Sequence, residues 1–206
     1  MSDNYFEIIR PGVNTTYQDK GRDNLYHIGI PFSGVMDNRN YLIANKLVNN
    51  NLNSAVIEFA YQGPHLKYLG EKINFAITGD VIFTIKKNGT EIEGKCYESY
   101  QIENSDEINV ISTNKSVYGY LALGGELDIK LQWNSCSINT KANIGSNNGK
   151  KLDLGQKINF KKINTNQDIK KTNYINTKIE NIRVIKGTNF DYFSDEGKKI
   201  FYKKEF

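Results

Sequence analysis

Cysteine, histidine and proline are scarce: two Cys, two His and three Pro occur in 206 residues. Cys96 and Cys136 stand forty positions apart, with no C-x-x-C pair and no histidine cluster. This excludes a zinc-finger pattern and a disulfide framework, so no resident metal is expected and reduced cytosolic thiols are the default. No apolar run approaches 18 residues, and the acidic start MSDNYFEII lacks the core of a signal peptide. A soluble cytoplasmic protein without membrane association is the expectation. Charge of one sign is equally absent as a patch. The net charge is +4, but the basic residues are scattered among acids apart from pairs such as Lys161-Lys162, which argues against nucleic acid as a partner.

What the chain does have is aromatic and β-branched sequence. Aromatics make up 12% of it, and a chain of this length buries roughly two-thirds of its unfolded surface without staples. Short apolar or alternating runs at 5–9, 55–59, 73–77, 81–85, 91–93, 97–102, 108–112, 118–123, 158–163 and 182–185 are strand-sized and bounded by Gly, Asn, Asp or Pro. Asn88-Gly89 between two of them predicts a type I′ hairpin. One stretch breaks the period of two. NRNYLIANKLVNN places Tyr41, Ala44 and Val48 on one face with Leu47 beside them, after Asp37 as N-cap, and predicts one short helix near residues 38–49. The capping box is incomplete, because Asn40 stands where Glu or Gln would complete it.

Residues 161–177 are polar and nearly patternless, and read as a linker. The predicted organisation is therefore a β domain over 1–163, a linker over 164–178 and the start of an incomplete second domain over 179–206. That last part reads as a strand, a Gly turn and a short amphipathic helix whose Phe193, Ile200 and Phe201 want a partner surface.

Most motif-like features dissolve on inspection. GSNNGKK has too short a glycine spacing for a phosphate loop, and Lys where Ser or Thr should hold magnesium. Ser33 in PFSGV lacks the leading glycine of an esterase elbow, and neither His27 nor His65 lies near a nucleophile motif. The segment TTYQDKGRDNLYHIGIPFSGVMD is different. Gln18, Asp19 and Arg22 fall within five positions around Gly21, where a carboxylate can fix a guanidinium and leave donors free for an anionic ligand. Equally, Asp19 and Arg22 can lock a turn between strands, and spacing alone does not separate the two. Gly29, Pro31 and Gly34 make bends that aim the amides near Ser33 and Met36, with Asp37, at one spot, either to bind an oxyanion or to cap the helix.

The same residues carry a family resemblance. TTYQDKGRDNLYHIGIPFSGVMDNRNYLIANKLVNN resembles the signature of the allophanate hydrolase subunit 2 family, T-x-Q-D-x-G-R, G-x-P-x-S-G-A-M-D and A-N-x-L-V-G-N. EFAYQGPHLKY, GYLALGGELDI, NIGSNNGKKLDLGQKI and IRVIKGTNFDYFSDEG resemble further family motifs, in order and at similar spacing. Departures include Asn24, Val35 and Asn49. Ser135-Cys136-Ser137 stands for the family's S-R-S, so the usual Arg is Cys136 here and the anion site there is weakened. Lys150 replaces another Arg.

The resemblance implies a mainly β fold, a cyclophilin-like antiparallel β-barrel. It implies a C-type subunit in an ATP-dependent 5-oxoprolinase, or a component of a biotin-dependent carboxyltransferase acting on a small amide. Such a component is not active alone, and has B-type and A-type subunits of the same system as partners. The alternative within the family is a regulatory binding protein that antagonises a kinase inhibitor, or an inactive truncated member. The resemblance does not identify the catalytic residues; the best candidates are Asp19, Arg22 and Asp37, which suit the anion and planar amide that the family's reactions handle. The implied substrate-binding residues are Gln18, Ser33, Gly34, Met36, Glu58, Gly124 and Gly125. No cofactor is implied on this chain itself, with ATP or biotin entering at the level of the complex.

Overall fold

The computed structural model describes residues 4–173 and 184–203. They fall into two compact units, residues 1–173 and 174–206.

Twelve antiparallel strands form the first unit. In chain order they are β1 (Tyr5–Arg10), β2 (Asn14–Gln18), β3 (Val56–Ala60), β4 (His65–Leu69), β5 (Ile73–Thr78), β6 (Val81–Lys87), β7 (Thr90–Glu93), β8 (Ser99–Ile102), β9 (Glu107–Thr113), β10 (Tyr118–Leu123), β11 (Gly125–Leu127) and β12 (Lys157–Ile163). They form a seven-stranded sheet, β11-β12-β1-β4-β9-β6-β7, and a five-stranded sheet, β2-β3-β10-β5-β8. The barrel is thus two facing sheets and not one hydrogen-bonded ring. The predicted hairpin joins β6 to β7, with Lys87 opposite Thr90 and both Asn88 and Gly89 at positive φ.

The burial patterns of the two sheets differ for one physical reason. Strands of the seven-stranded sheet face core on one side and water on the other. They alternate, as in β6, where Val81, Phe83 and Ile85 point inward and Ile82 points out. In the five-stranded sheet, β3 and β5 are buried at every position, because helix α1 (Asn38–Leu47) covers the outer face. Tyr41, Ala44 and Leu47 pack there with Val56, Ala76, Tyr120 and Ala122. Ala76 and Ala122 are direct cross-strand partners, and two small side chains in register let the helix axis come close. The inner faces of both sheets enclose the main core of Phe6, Phe59, Phe75, Phe83, Leu121 and their neighbours.

Asp37 caps α1, its Oδ1 accepting the Asn40 amide at 3.0 Å. Asn40 then donates through Nδ2 to Asp37 Oδ2 at 2.7 Å, so side chain grips side chain where the usual box would grip backbone. Asn40 is also held by Thr78 Oγ1 on its carbonyl and Tyr97 OH on its side chain, both at 2.9 Å. The first turn of the helix is therefore fixed to the sheet by polar contacts as well as by packing.

Of the predicted linker, residues 164–173 lie along the first unit. Asn164 donates to the Val48 carbonyl at 2.9 Å and Lys170 N to Ser99 Oγ at 2.7 Å. The strand expected at 182–185 lies partly outside the described residues, and 184–185 have no regular structure. In the second unit a 3-10 turn (Phe190–Tyr192) precedes α2 (Asp195–Lys203), the amphipathic helix expected from the sequence. Phe193, Ile200 and Phe201 are exposed, and with Ile185 and Phe190 they line an apolar groove of about 530 Å³.

Candidate functional site

Strand β2 is polar in sequence, N-T-T-Y-Q, yet buried from Thr15 to Gln18. Its inward residue is Tyr17, in the main core. Thr16 and Gln18 take the other face, beneath α1, where Thr16 stands opposite Glu58, Glu58 opposite Tyr120, and Tyr120 opposite Thr78. A row of four buried polar side chains therefore crosses the five-stranded sheet next to the start of the helix.

Directly after β2, Asp19 is 7% exposed and its carboxylate is fully engaged. Oδ1 accepts from Ser135 Oγ and Ser137 Oγ, both at 2.6 Å, and from the Gly21 amide at 2.9 Å. Oδ2 accepts from the Cys136 amide at 2.7 Å. Burial pushes the Asp19 pKa up, but these hydrogen bonds outweigh it and hold the carboxyl below its ordinary value. The Ser-Cys-Ser-Ile segment is tied to β2 a second time through Ile138 N to Tyr17 O at 3.1 Å, and on its far side Ser146 Oγ donates to Cys136 O at 2.6 Å.

Arg22 is 2% exposed. Its Nη2 donates to the Ser137 carbonyl, whereas Nε and Nη1 are buried with no hydrogen-bond partner among the described residues. Burial lowers its pKa, and the nearby charge of Asp19 opposes that. The two readings left open by spacing are thus divided between two residues. Asp19 locks the turn, and Arg22 keeps unspent donors.

Segments 19–22 and 32–35 run side by side, through Arg22 N to Phe32 O at 2.8 Å and Val35 N to Asp19 O at 3.0 Å. Gly34, at φ +91°, makes this possible, because a Cβ there would lie 2.9 Å from the Lys20 carbonyl oxygen. The Met36 amide donates to Glu58 Oε2 at 2.8 Å and the Asp37 amide to Tyr120 OH at 2.7 Å. Of the two roles open for the amides at the helix entry, oxyanion binding and helix capping, the first is not served by those of Val35, Met36 and Asp37, which are already spent inside the protein. Among the described residues, the buried side-chain donors left unpaired here are Arg22 Nε and Nη1 and the Tyr41 hydroxyl.

The remaining predicted residues are placed as follows. The side chains of Met36 and Asp37 are exposed, and the Asp37 carboxylate is the helix cap. Ser33 is half-buried and accepts from Asn139 Nδ2 at 3.5 Å. Gly124 and Gly125 are buried at the β10–β11 junction, where a Cβ would meet the Asn74 and Lys162 carbonyl oxygens at 2.8 and 2.5 Å. Gly125 shares a cavity of about 180 Å³ with Asp19 and Cys136. His27 is exposed on a 3-10 turn, and His65 pairs with Glu107 at 2.9 Å. The 145–151 loop holds only a 3-10 turn (Asn147–Gly149) and leads into no α-helix, which a phosphate loop requires. Sequence reasoning did not single out Ser135, Ser137, Tyr41 or Tyr120. The two serines could have been found, since they are the residues of S-R-S that this chain retains.

Glu58 offers a direct test of the network. Burial raises its pKa, the Met36 amide and Tyr120 hydroxyl pull it down, and the Asp37 charge adds to the rise; the net is above the ordinary 4.5. For an acid with a raised folded pKa, stability falls as pH climbs from the unfolded value through the folded one. Glu58→Gln should therefore gain on the wild type as pH rises from 4.5 to 7 in thermal unfolding. A wild type that gains on the variant over that range would contradict the assignment.

The fold is two facing antiparallel sheets with a helix covering one of them, beside a buried carboxylate and guanidinium. Residues 28–206 match the family described as carboxyltransferase domain, subdomain A and B, and the chain belongs to that family. It is 32% identical over 73% of its length to the urea amidolyase of Lachancea kluyveri, covering 8% of that protein. It is 28% identical over 74% of its length to the C subunit of the Haemophilus influenzae 5-oxoprolinase, covering 48% of it. The crystal structure of the K. lactis urea amidolyase superposes with a TM-score of 0.72 at 30% identity, over 79% of this chain and 10% of that one. The chain thus spans about half the length of the 5-oxoprolinase relative and a small part of the urea amidolyases, and the resemblance drawn from its motifs is established.

Proposed function

We propose that this chain is the C-type subunit of an ATP-dependent 5-oxoprolinase-type system, acting in the cytoplasm with A-type and B-type partners on a small cyclic amide. The observation that carries this reading is Arg22. A guanidinium with two buried, unspent nitrogens beside a fully satisfied carboxylate is arranged to polarise a carbonyl oxygen that arrives from outside the protein. In this role Arg22 stabilises the negative charge that develops on the amide oxygen, and Asp19 holds the 135–138 segment that anchors the guanidinium. Glu58 and Tyr120 keep the helix entry in place through the Met36 and Asp37 amides. Gly34 permits the close pairing of the two segments.

A biotin-dependent carboxyl transfer to a small amide is the second reading, favoured by the identity to urea amidolyases. It uses the same polarised carbonyl. In both readings ATP or biotin enters at the level of the complex.

Co-expression with the A- and B-type partners, followed by measurement of 5-oxoproline loss with ATP, tests the reading. Turnover that requires this chain is the expected result. Turnover of urea with biotin and none of 5-oxoproline would move the assignment to the second reading, and neither turnover would remove both.

A further inference from the structure

Asn-Gly occurs twice in the chain, at Asn88-Gly89 and Asn148-Gly149, and neither pair takes part in the site described above. The dipeptide carries an intrinsic reaction. The backbone nitrogen of the glycine can attack the side-chain carbonyl carbon of the asparagine, because no Cβ crowds the approach and the glycine dihedrals turn freely. In a folded chain the outcome depends on what holds that nitrogen and what surrounds it.

The two pairs share a left-handed backbone and differ in their surroundings. Asn88 and Gly89 lie at φ 48° and 80°, Asn148 and Gly149 at 55° and 71°. At the second pair, Gly149 N donates to Ser146 O at 2.9 Å. Gly149 is buried, and a Cβ on it would fall inside the backbone of Asn143. The flanks are fastened as well. Asn147 donates through Nδ2 to Lys150 O and Lys151 O, both at 3.0 Å, and its Oδ1 accepts from Gln156 Nε2 at 3.0 Å. Attack at Asn148 therefore requires breaking a buried hydrogen bond and turning a glycine that has no room.

The first pair has none of these restraints. Asn88 and Gly89 are both exposed, and nothing lies within 4 Å of the Cβ position on Gly89. Among the described residues, Gly89 N donates no hydrogen bond and the Asn88 side chain makes none. Strand β7 beyond the turn is the edge of its sheet, paired with β6 and exposed at all four positions.

We propose that Asn88 is a site of spontaneous covalent modification in the folded protein, and that the fold protects Asn148 from the same reaction. Gly89 N bonds to Asn88 Cγ, the Cγ–Nδ2 bond breaks, and Nδ2 leaves as ammonia with the proton that Gly89 N gives up. The five-membered imide then takes up one water and opens at either carbonyl, to aspartate or isoaspartate, with no change of oxidation state. Both products put a carboxylate where a neutral amide stood. Isoaspartate also carries the former side-chain CH2 in the main chain, and a two-residue type I′ turn does not accommodate the extra atom. Lys87 and Thr90 then lose their register as the closing pair of the hairpin. The disturbance stops at the edge, because β6 keeps its pairing with β9 and its inward Phe83 and Ile85.

Ageing the intact chain in mildly alkaline buffer, with mass spectrometry of the two Asn-Gly peptides after proteolysis, tests the proposal. Asn88 should convert about 10-fold or more faster than Asn148, the cost of freeing a buried amide from its acceptor. In concentrated urea, where neither turn persists, the two should convert at similar rates. Amide exchange in β7 should rise with isoaspartate content and stay unchanged in freshly prepared Asn88→Asp, which adds the charge without the extra backbone atom. Equal rates at the two sites in the folded chain, or faster conversion at Asn148, would overturn the proposal. A β7 that exchanges equally fast in Asn88→Asp would overturn the part assigned to the lengthened turn.

Discussion

Asp19→Ala should lower the stability of the barrel by about 3–5 kcal/mol, roughly 6–20 °C in Tm for a chain of this size. The substitution removes an acceptor shared by four donors: two serine hydroxyls and two backbone amides. Two of those donors, the hydroxyls of Ser135 and Ser137, belong to fully buried residues. Each loses a charge-assisted bond and retains its desolvation cost. The pH dependence follows from the sign of the shift. Asp19 has a folded pKa below the ordinary 3.8, so its stabilisation is complete above that value and is lost as pH falls through the folded one. The gap in stability between wild type and variant should be constant from pH 5 to 8 and close in stronger acid. A gap that opens on acidification would show that the carboxylate is not held as described.

Arg22→Met removes the cation beside the buried Asp19 carboxylate and is expected to lower stability as well, by about 3 kcal/mol or less, because the carboxylate keeps its four hydrogen bonds. A methionine fills similar volume, and the buried cation it replaces spends only one hydrogen bond inside the protein. What the substitution removes is the pair of unspent nitrogens. If these polarise a substrate carbonyl, turnover should fall about 100- to 1000-fold. A residue kept for stability alone would give loss of Tm with little loss of rate, and calorimetry beside a rate measurement separates the two.

Local signals in the sequence reached the parts of this fold whose determinants are local. Helix α1 was legible because Asp37, Tyr41, Ala44 and Val48 carry both cap and period within a dozen residues. The β6–β7 hairpin was legible because Asn88-Gly89 suits only a few turn types. Strand β2 was not, because a strand buried on both faces with Thr and Gln as its side chains shows neither alternation nor an apolar run. Strand β4 was hidden behind Pro64, and β11 is only three residues long.

The site divides along the same line. Asp19 and Arg22 could be singled out by residue type, but the partners that decide their roles lie more than a hundred residues further along, at Ser135 and Ser137. Spacing near Gly21 therefore could not distinguish the locked carboxylate from the open guanidinium. The amides of Val35, Met36 and Asp37 looked free because Glu58, Tyr120 and the Asp19 carbonyl meet them only across the folded sheet. Tyr41 reads as a core residue in sequence and packs as one, with its hydroxyl buried and unpaired among the described residues.

The most direct test of the central claim is kcat/KM for 5-oxoproline with ATP in the complex reconstituted from this chain and its A- and B-type partners, measured with wild type and with Arg22→Met at matched Tm. A fall of about 100-fold or more in the variant is the expected result. Equal kcat/KM for the two would contradict the assignment of Arg22 as the group that receives the substrate carbonyl.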